Sequence, residues 1–114
     1  MEDQQFQQFL VDLKAYLEEP KIFVTNLDRA REFYTAVALA EQLFPEAEIK
    51  IKEDPLQTGA MILHIKAPDI IVRGVREIED FSTMLSFANN FEIYPIGKNE
   101  VCLAAVFHGV NKRI

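Results

Sequence analysis

One cysteine, Cys102, stands alone in the chain, so no disulfide can form within it. Small secreted domains lean on such bridges where the core is too small to hold the fold, and their absence sets the expectation of a cytoplasmic protein. Tryptophan is missing, and there are two histidines, His64 and His108. Four glycines leave little material for a phosphate-cradling loop. None of the G-x-x-x-x-G-K-[ST], G-x-G-x-x-G or G-x-S-x-G patterns occurs. The longest unbroken apolar run, residues 101–107, is far too short to span a membrane. The start, Met1-Glu2-Asp3-Gln4-Gln5, has neither basic residues nor an apolar stretch and is not read as a secretory signal. Basic residues are in deficit: 12 Lys and Arg face 18 Asp and Glu, a formal net charge of −6. That balance disfavours non-specific binding to nucleic acid or to an anionic membrane.

What is present is apolar material. Of 114 residues 49% are hydrophobic, nine of them Phe, which suits one domain, residues 1–114, with a core of its own. Residues 4–18 carry Phe6, Phe9, Leu10, Leu13 and Leu17 at helical spacing, with Asp3 placed to cap the helix and Pro20 to stop it. Ile22-Phe23-Val24 suits a short strand. Thr25 or Asn26 then caps a helix bearing Leu27, Ala30, Phe33, Tyr34, Val37 and Ala40, which ends before Pro45. Residues 47–53 alternate cleanly, and residues 60–67 read as a second strand with Met61, Leu63 and Ile65 on one face. The pattern then restarts. Ile70-Ile71-Val72 reads as a strand and Val75 to Ala88 as a helix. Phe91 to Tyr94 and Val101 to Phe107 read as two strands joined at Gly97-Lys98-Asn99.

A shift of 48 sets Ile22 on Ile70, Val24 on Val72, Phe33 on Phe81 and Ala40 on Ala88; after a small gap, Glu48-Ile49 falls on Glu92-Ile93. The expected architecture is therefore α+β. An N-terminal helix precedes two β-α-β-β repeats, about residues 21–67 and 70–108, in a mostly antiparallel sheet with both repeat helices on one face. Phe33 and Phe81 should both lie beneath that sheet. Phe23 and Ile71 should point to its other face, partly covered by the first helix. With Phe6, Phe9 and Leu13 they form the expected interface of a homodimer.

Chemistry-bearing groups are sparse. His64, Cys102 and His108 are zinc-type donors without short-range ligand spacing, so no metal and no other cofactor is expected. The acidic pairs Glu18-Glu19, Glu53-Asp54 and Glu79-Asp80 read as solvated charges, and no catalytic residue is assigned. Arg29 and Arg31, near the start of one repeat helix, and Arg73 and Arg76, near the start of the other, are the candidate anion or ligand contacts.

Two resemblances add alternatives. Lys21-Ile22-Phe23-Val24-Thr25-Asn26-Leu27 resembles the first signature strand of an RNA-recognition motif, which implies a base stacked on Phe23. The second signature, at Gly59-Ala60-Met61-Ile62-Leu63-His64-Ile65, has the glycine but no aromatic. Asn26 to Thr35 is similar to the first helix of the glyoxalase and bleomycin-resistance superfamily, which implies duplicated modules around a small ligand, although Ile22-Phe23-Val24 supplies no metal-binding His. The leading expectation is a non-enzymatic binding or regulatory module acting through protein contacts. The alternatives are a glyoxalase-like small-ligand binder and an RNA-recognition-like protein.

Overall fold

The computed structural model describes residues 2–114, with side chains described from residue 4 onward; the proposed cap Asp3 lies outside the described side chains. The fold is α+β. Its elements are α1 (Glu2–Ala15), a 3-10 turn (Pro20–Ile22), β1 (Phe23–Thr25), α2 (Leu27–Leu43), β2 (Glu48–Glu53), β3 (Met61–Ala67), α3 (Val75–Ser86), β4 (Asn90–Ile96), β5 (Glu100–Phe107) and β6 (Asn111–Arg113). Four strands form an antiparallel sheet in the order β2-β3-β5-β4, while β1 and β6 pair separately as a two-stranded ribbon.

The sheet is built from two helix–hairpin units, α2-β2-β3 and α3-β4-β5, with β3 and β5 adjoining at the centre. One row of cross-strand partners runs Ile49, Ile65, Leu103, Ile93. Ile49 and Ile93, equated by the sequence shift, stand at its two ends. This is the arrangement a twofold between Ile65 and Leu103 would generate.

Because side chains alternate along a strand, the odd-numbered residues of this row and its neighbours all face one way. Met61, Leu63, Ile65, Leu103, Ala105 and Phe107 are buried there with Phe33, Ala36, Val37 and Ala40 of α2 and Met84 of α3. Asn26 caps α2 by accepting the Arg29 N–H on its side-chain oxygen. The Phe33 and Phe107 rings meet at 4.8 Å, so α2 is pinned over the centre of the sheet.

Several expected features differ in detail. Ile70-Ile71-Val72 is not a strand but an irregular segment whose residues alternate between half-buried and exposed without a ladder partner. Phe33 is fully buried, whereas Phe81 is half-buried with its edge against Phe44 (centroids 6.0 Å apart). Phe23 does not point to a second sheet face: β1 lies outside the main sheet, and the ring is 5% exposed within the core. The helix α1 covers the helical layer rather than the far side of the sheet. Phe6 meets Tyr34 edge-on at 5.5 Å, and Phe9 lies 5.8 Å from Phe33 and 5.0 Å from Tyr34. The aromatic stripe of α2 offers α1 a better match than the charged far face described below.

Gly59 locks the ribbon to the long β2–β3 connection. It has φ +86°, and a Cβ there would meet the Asn111 carbonyl oxygen and the Phe23 ring, each at 2.9 Å. Asn111, itself buried, donates to the Gly59 carbonyl (3.2 Å) and accepts from the Thr25 hydroxyl (3.0 Å). The Glu53 carboxylate takes the Gly59 N–H (2.8 Å) and the Glu18 N–H (3.0 Å), so this member of an acidic pair organises the backbone.

Candidate functional site

The even-numbered strand residues face away from the helices. Partner rows on this open face read Glu48, Lys66, Cys102, Tyr94, and then Lys50, His64, Ala104, Glu92. Small side chains on central β5 lie between the taller His64 and Lys66 of β3 and Tyr94 and Glu92 of β4. A hollow of about 260 Å³ results, whose lining includes Glu48 and the lysines Lys50, Lys52 and Lys66 together with His64, Tyr94, Ile96 and Cys102.

His64 and Cys102 come together on this face, Nδ1 to Sγ at 3.6 Å. The other ring nitrogen, Nε2, is buried and has no hydrogen-bond partner. Burial first and the Lys52 charge second push the imidazole below its ordinary value, so the ring is neutral at pH 7. The hydrogen bond to Cys102 is the main cause that raises the Tyr94 phenol. Glu48 binds Lys50 (3.0 Å) and Lys66 (3.6 Å), and the Lys50 hydrogen bond chiefly holds its carboxyl below the usual range. Lys52 has no carboxylate within 4.0 Å among the described residues.

His108 does not join His64 and Cys102. It follows the end of β5, four residues beyond the Ala104 that faces His64, or about 13 Å along the strand. Its backbone is held by Arg29 and Asn89. Among the described residues no three His, Cys, Asp or Glu side chains are grouped to hold a metal ion.

The four arginines do not converge. Arg29 is a clamp: it donates to the carbonyls of Phe87 (2.6 Å) and His108 (2.7 Å), to the Asn89 side chain and to Glu32 (3.3 Å). Arg31 stacks its guanidinium on Phe6, 4.0 Å from the ring centroid. Arg76 lies with Gln42 and Leu43 near the other end of α2, about 17 Å along the helix from Arg31. Arg73 is exposed, and its backbone N–H donates to Glu77. Of the five expected interface residues, Phe6, Leu13 and Phe23 are enclosed in the chain's own core, Phe9 is half-buried against α2, and Ile71 is exposed.

A second surface lies at the edge of the sheet. All seven residues of β4, Asn90–Ile96, are exposed. Phe91 (47%) and Ile93 (51%) point to the helix side yet remain open, because the helical layer stops short of this strand. Val75 and Ile78 of α3 are exposed as well. The opposite edge differs: β2 reads Glu-Ile-Lys-Ile-Lys-Glu, whereas β4 reads Asn-Phe-Glu-Ile-Tyr-Pro-Ile with a single charge.

Strand alternation separates the two sheet faces and puts His64 on the face opposite Met61, Leu63 and Ile65, but it does not assemble Lys50, Lys52, Lys66 and Tyr94 around His64 and Cys102. The alternation of Lys50 and Lys52 was the available signal; the cross-strand register that supplies Lys66 and Tyr94 is not written in any local pattern. Comparison with known proteins finds no family model, no curated protein and no solved structure that matches the chain.

Proposed function

We propose that this protein is a non-enzymatic binding or regulatory module of the cytoplasm that acts through protein contacts and self-associates as a homodimer along β4. The observation that carries this reading is the wholly exposed, largely apolar edge strand. Unpaired edges template further strands, and proteins ordinarily blunt them with charge, as β2 does. On β4 the blunting is confined to Glu92 and Pro95. A second copy is the favoured occupant on charge grounds. Antiparallel pairing centred on Ile93 sets Glu92 opposite Tyr94 and Phe91 opposite Pro95, with no like charges facing each other. Val75 and Ile78 of α3 are exposed apolar side chains as well. The nucleic-acid alternative loses its main support, because Phe23, the ring meant to stack on a base, is buried.

Light scattering over a wide concentration range tests the proposal. The wild-type chain is expected to reach twice its 13.1 kDa mass, and Ile93→Lys to remain monomeric with an unchanged circular dichroism spectrum. A wild-type monomer at the highest concentration would overturn it.

A further inference from the structure

We propose that the hollow on the open face of the sheet binds a small carboxylate that carries a flat apolar body. The hollow opens on the sheet face whereas strand pairing uses the edge, and the two share Tyr94 and Ile96 of β4.

Charge is the first argument. The chain is acidic overall at −6, yet three lysines line this hollow; Glu48 lies among them, Glu92 stands on the same face and Glu100 beside Lys66. Glu48 is already engaged by Lys50 and Lys66, which leaves the Lys52 ammonium without an ion-pair partner among the described residues. That unpaired ammonium is the positive charge available to an anion on this face.

The second argument is an unmet hydrogen bond. Buried polar atoms are nearly always paired, and the exceptions call for an explanation. His64 Nε2 is buried and unpaired beside the hollow, while Nδ1 faces Cys102. In the tautomer in which the Cys102 thiol donates to Nδ1, Nε2 carries the ring proton, and a small turn of the enclosed imidazole toward the hollow offers it to a ligand oxygen. One oxygen on Nε2–H and the charge beside Lys52 together describe a carboxylate.

Shape supplies the rest. The Tyr94 ring and Ile96 form an apolar wall, and about 260 Å³ is slightly below the usual range for drug-sized ligands, so the body is small. A phosphate fits less well. The lining contains no arginine fork and no helix N-terminus, and two of its three lysines are already paired with Glu48, which leaves Lys52 alone to face a doubly charged tetrahedral group.

Titration with benzoate, followed on the His64 and Tyr94 ring resonances by heteronuclear NMR at pH 7, tests the site. Saturable shifts of both rings are expected. Lys52→Ala should weaken binding about threefold to fivefold, whereas Lys112→Ala, on the exposed ribbon, should leave it unchanged. Lys52 is exposed, so its removal leaves the fold intact. Benzyl alcohol and inorganic phosphate are the control arms. Absence of saturable shifts with benzoate overturns the proposal. Equal binding of benzyl alcohol, which marks a merely apolar hollow, or of phosphate, which marks a merely cationic patch, overturns it as well.

Discussion

His64 illustrates what a single position discloses. Its place on the face of Ile62 and Lys66 follows from strand alternation, and its company with Cys102 follows once two antiparallel strands are assumed. Its unpaired Nε2 does not follow from sequence, because pairing depends on atoms contributed by three strands. The depressed pKa gives a signed expectation. A neutral ring in the folded state and an ordinary one in the unfolded state mean that the unfolded chain binds more protons as pH falls. The stability associated with neutral His64 is present above about pH 6.5, the unfolded value, and falls as pH drops toward the depressed folded value. Urea titrations of wild type and His64→Gln at pH 7.5 and 5.5 check this. The wild type should lose more stability than the variant between the two pH values, and equal losses would show that the ring is not shielded as described.

At the level of elements, long periodic segments are legible, and of the short ones β1 is found one residue along from its expected place whereas Ile70–Val72 and β6 are not legible. The helices α2 and α3 and the alternating strand β2 follow directly from their apolar spacing. The segment Ile70–Val72 has strand-like composition, but its alternating burial comes from packing without a hydrogen-bonded neighbour. The strand β6, Asn-Lys-Arg, has no strand propensity at all and exists because β1 pairs with it and because Asn111 bonds Thr25 and Gly59. The function of Arg29 was likewise hidden: it reads as a cation at a helix start, yet it joins α2 to the end of α3, to the Asn89 that precedes β4 and to the turn after β5. Arg29→Ala would leave the Phe87 and His108 carbonyls without this donor, at a cost of about 2–3 kcal/mol. Arg29→Lys should recover little, since one ammonium cannot span a planar fork's several acceptors. Urea midpoints for both variants measure the effect, and a neutral Arg29→Ala would refute the clamp.

Across the whole molecule, the repeat read from a shift of 48 residues fits the helix–hairpin order around the central β3–β5 pair, but not the leading strand of each proposed unit. Symmetry of order has not produced symmetry of protection. One edge strand carries four charges in six residues, while the other is exposed along its full length and carries one. The helix α1 and Phe23, expected to face a second copy, instead complete the core of the first, which moves the surface available for assembly to β4 and α3. The hollow beside His64 remains open on the far face. Amide hydrogen exchange along Asn90–Ile96 at low and high protein concentration tests this account most directly. If β4 pairs with a second copy, its outward-pointing amides should slow about fivefold when the total concentration is about ten times the dissociation constant, where about a fifth of the chain is still monomeric, while β2 amides stay unchanged. Exchange on β4 that is fast and independent of concentration would contradict it.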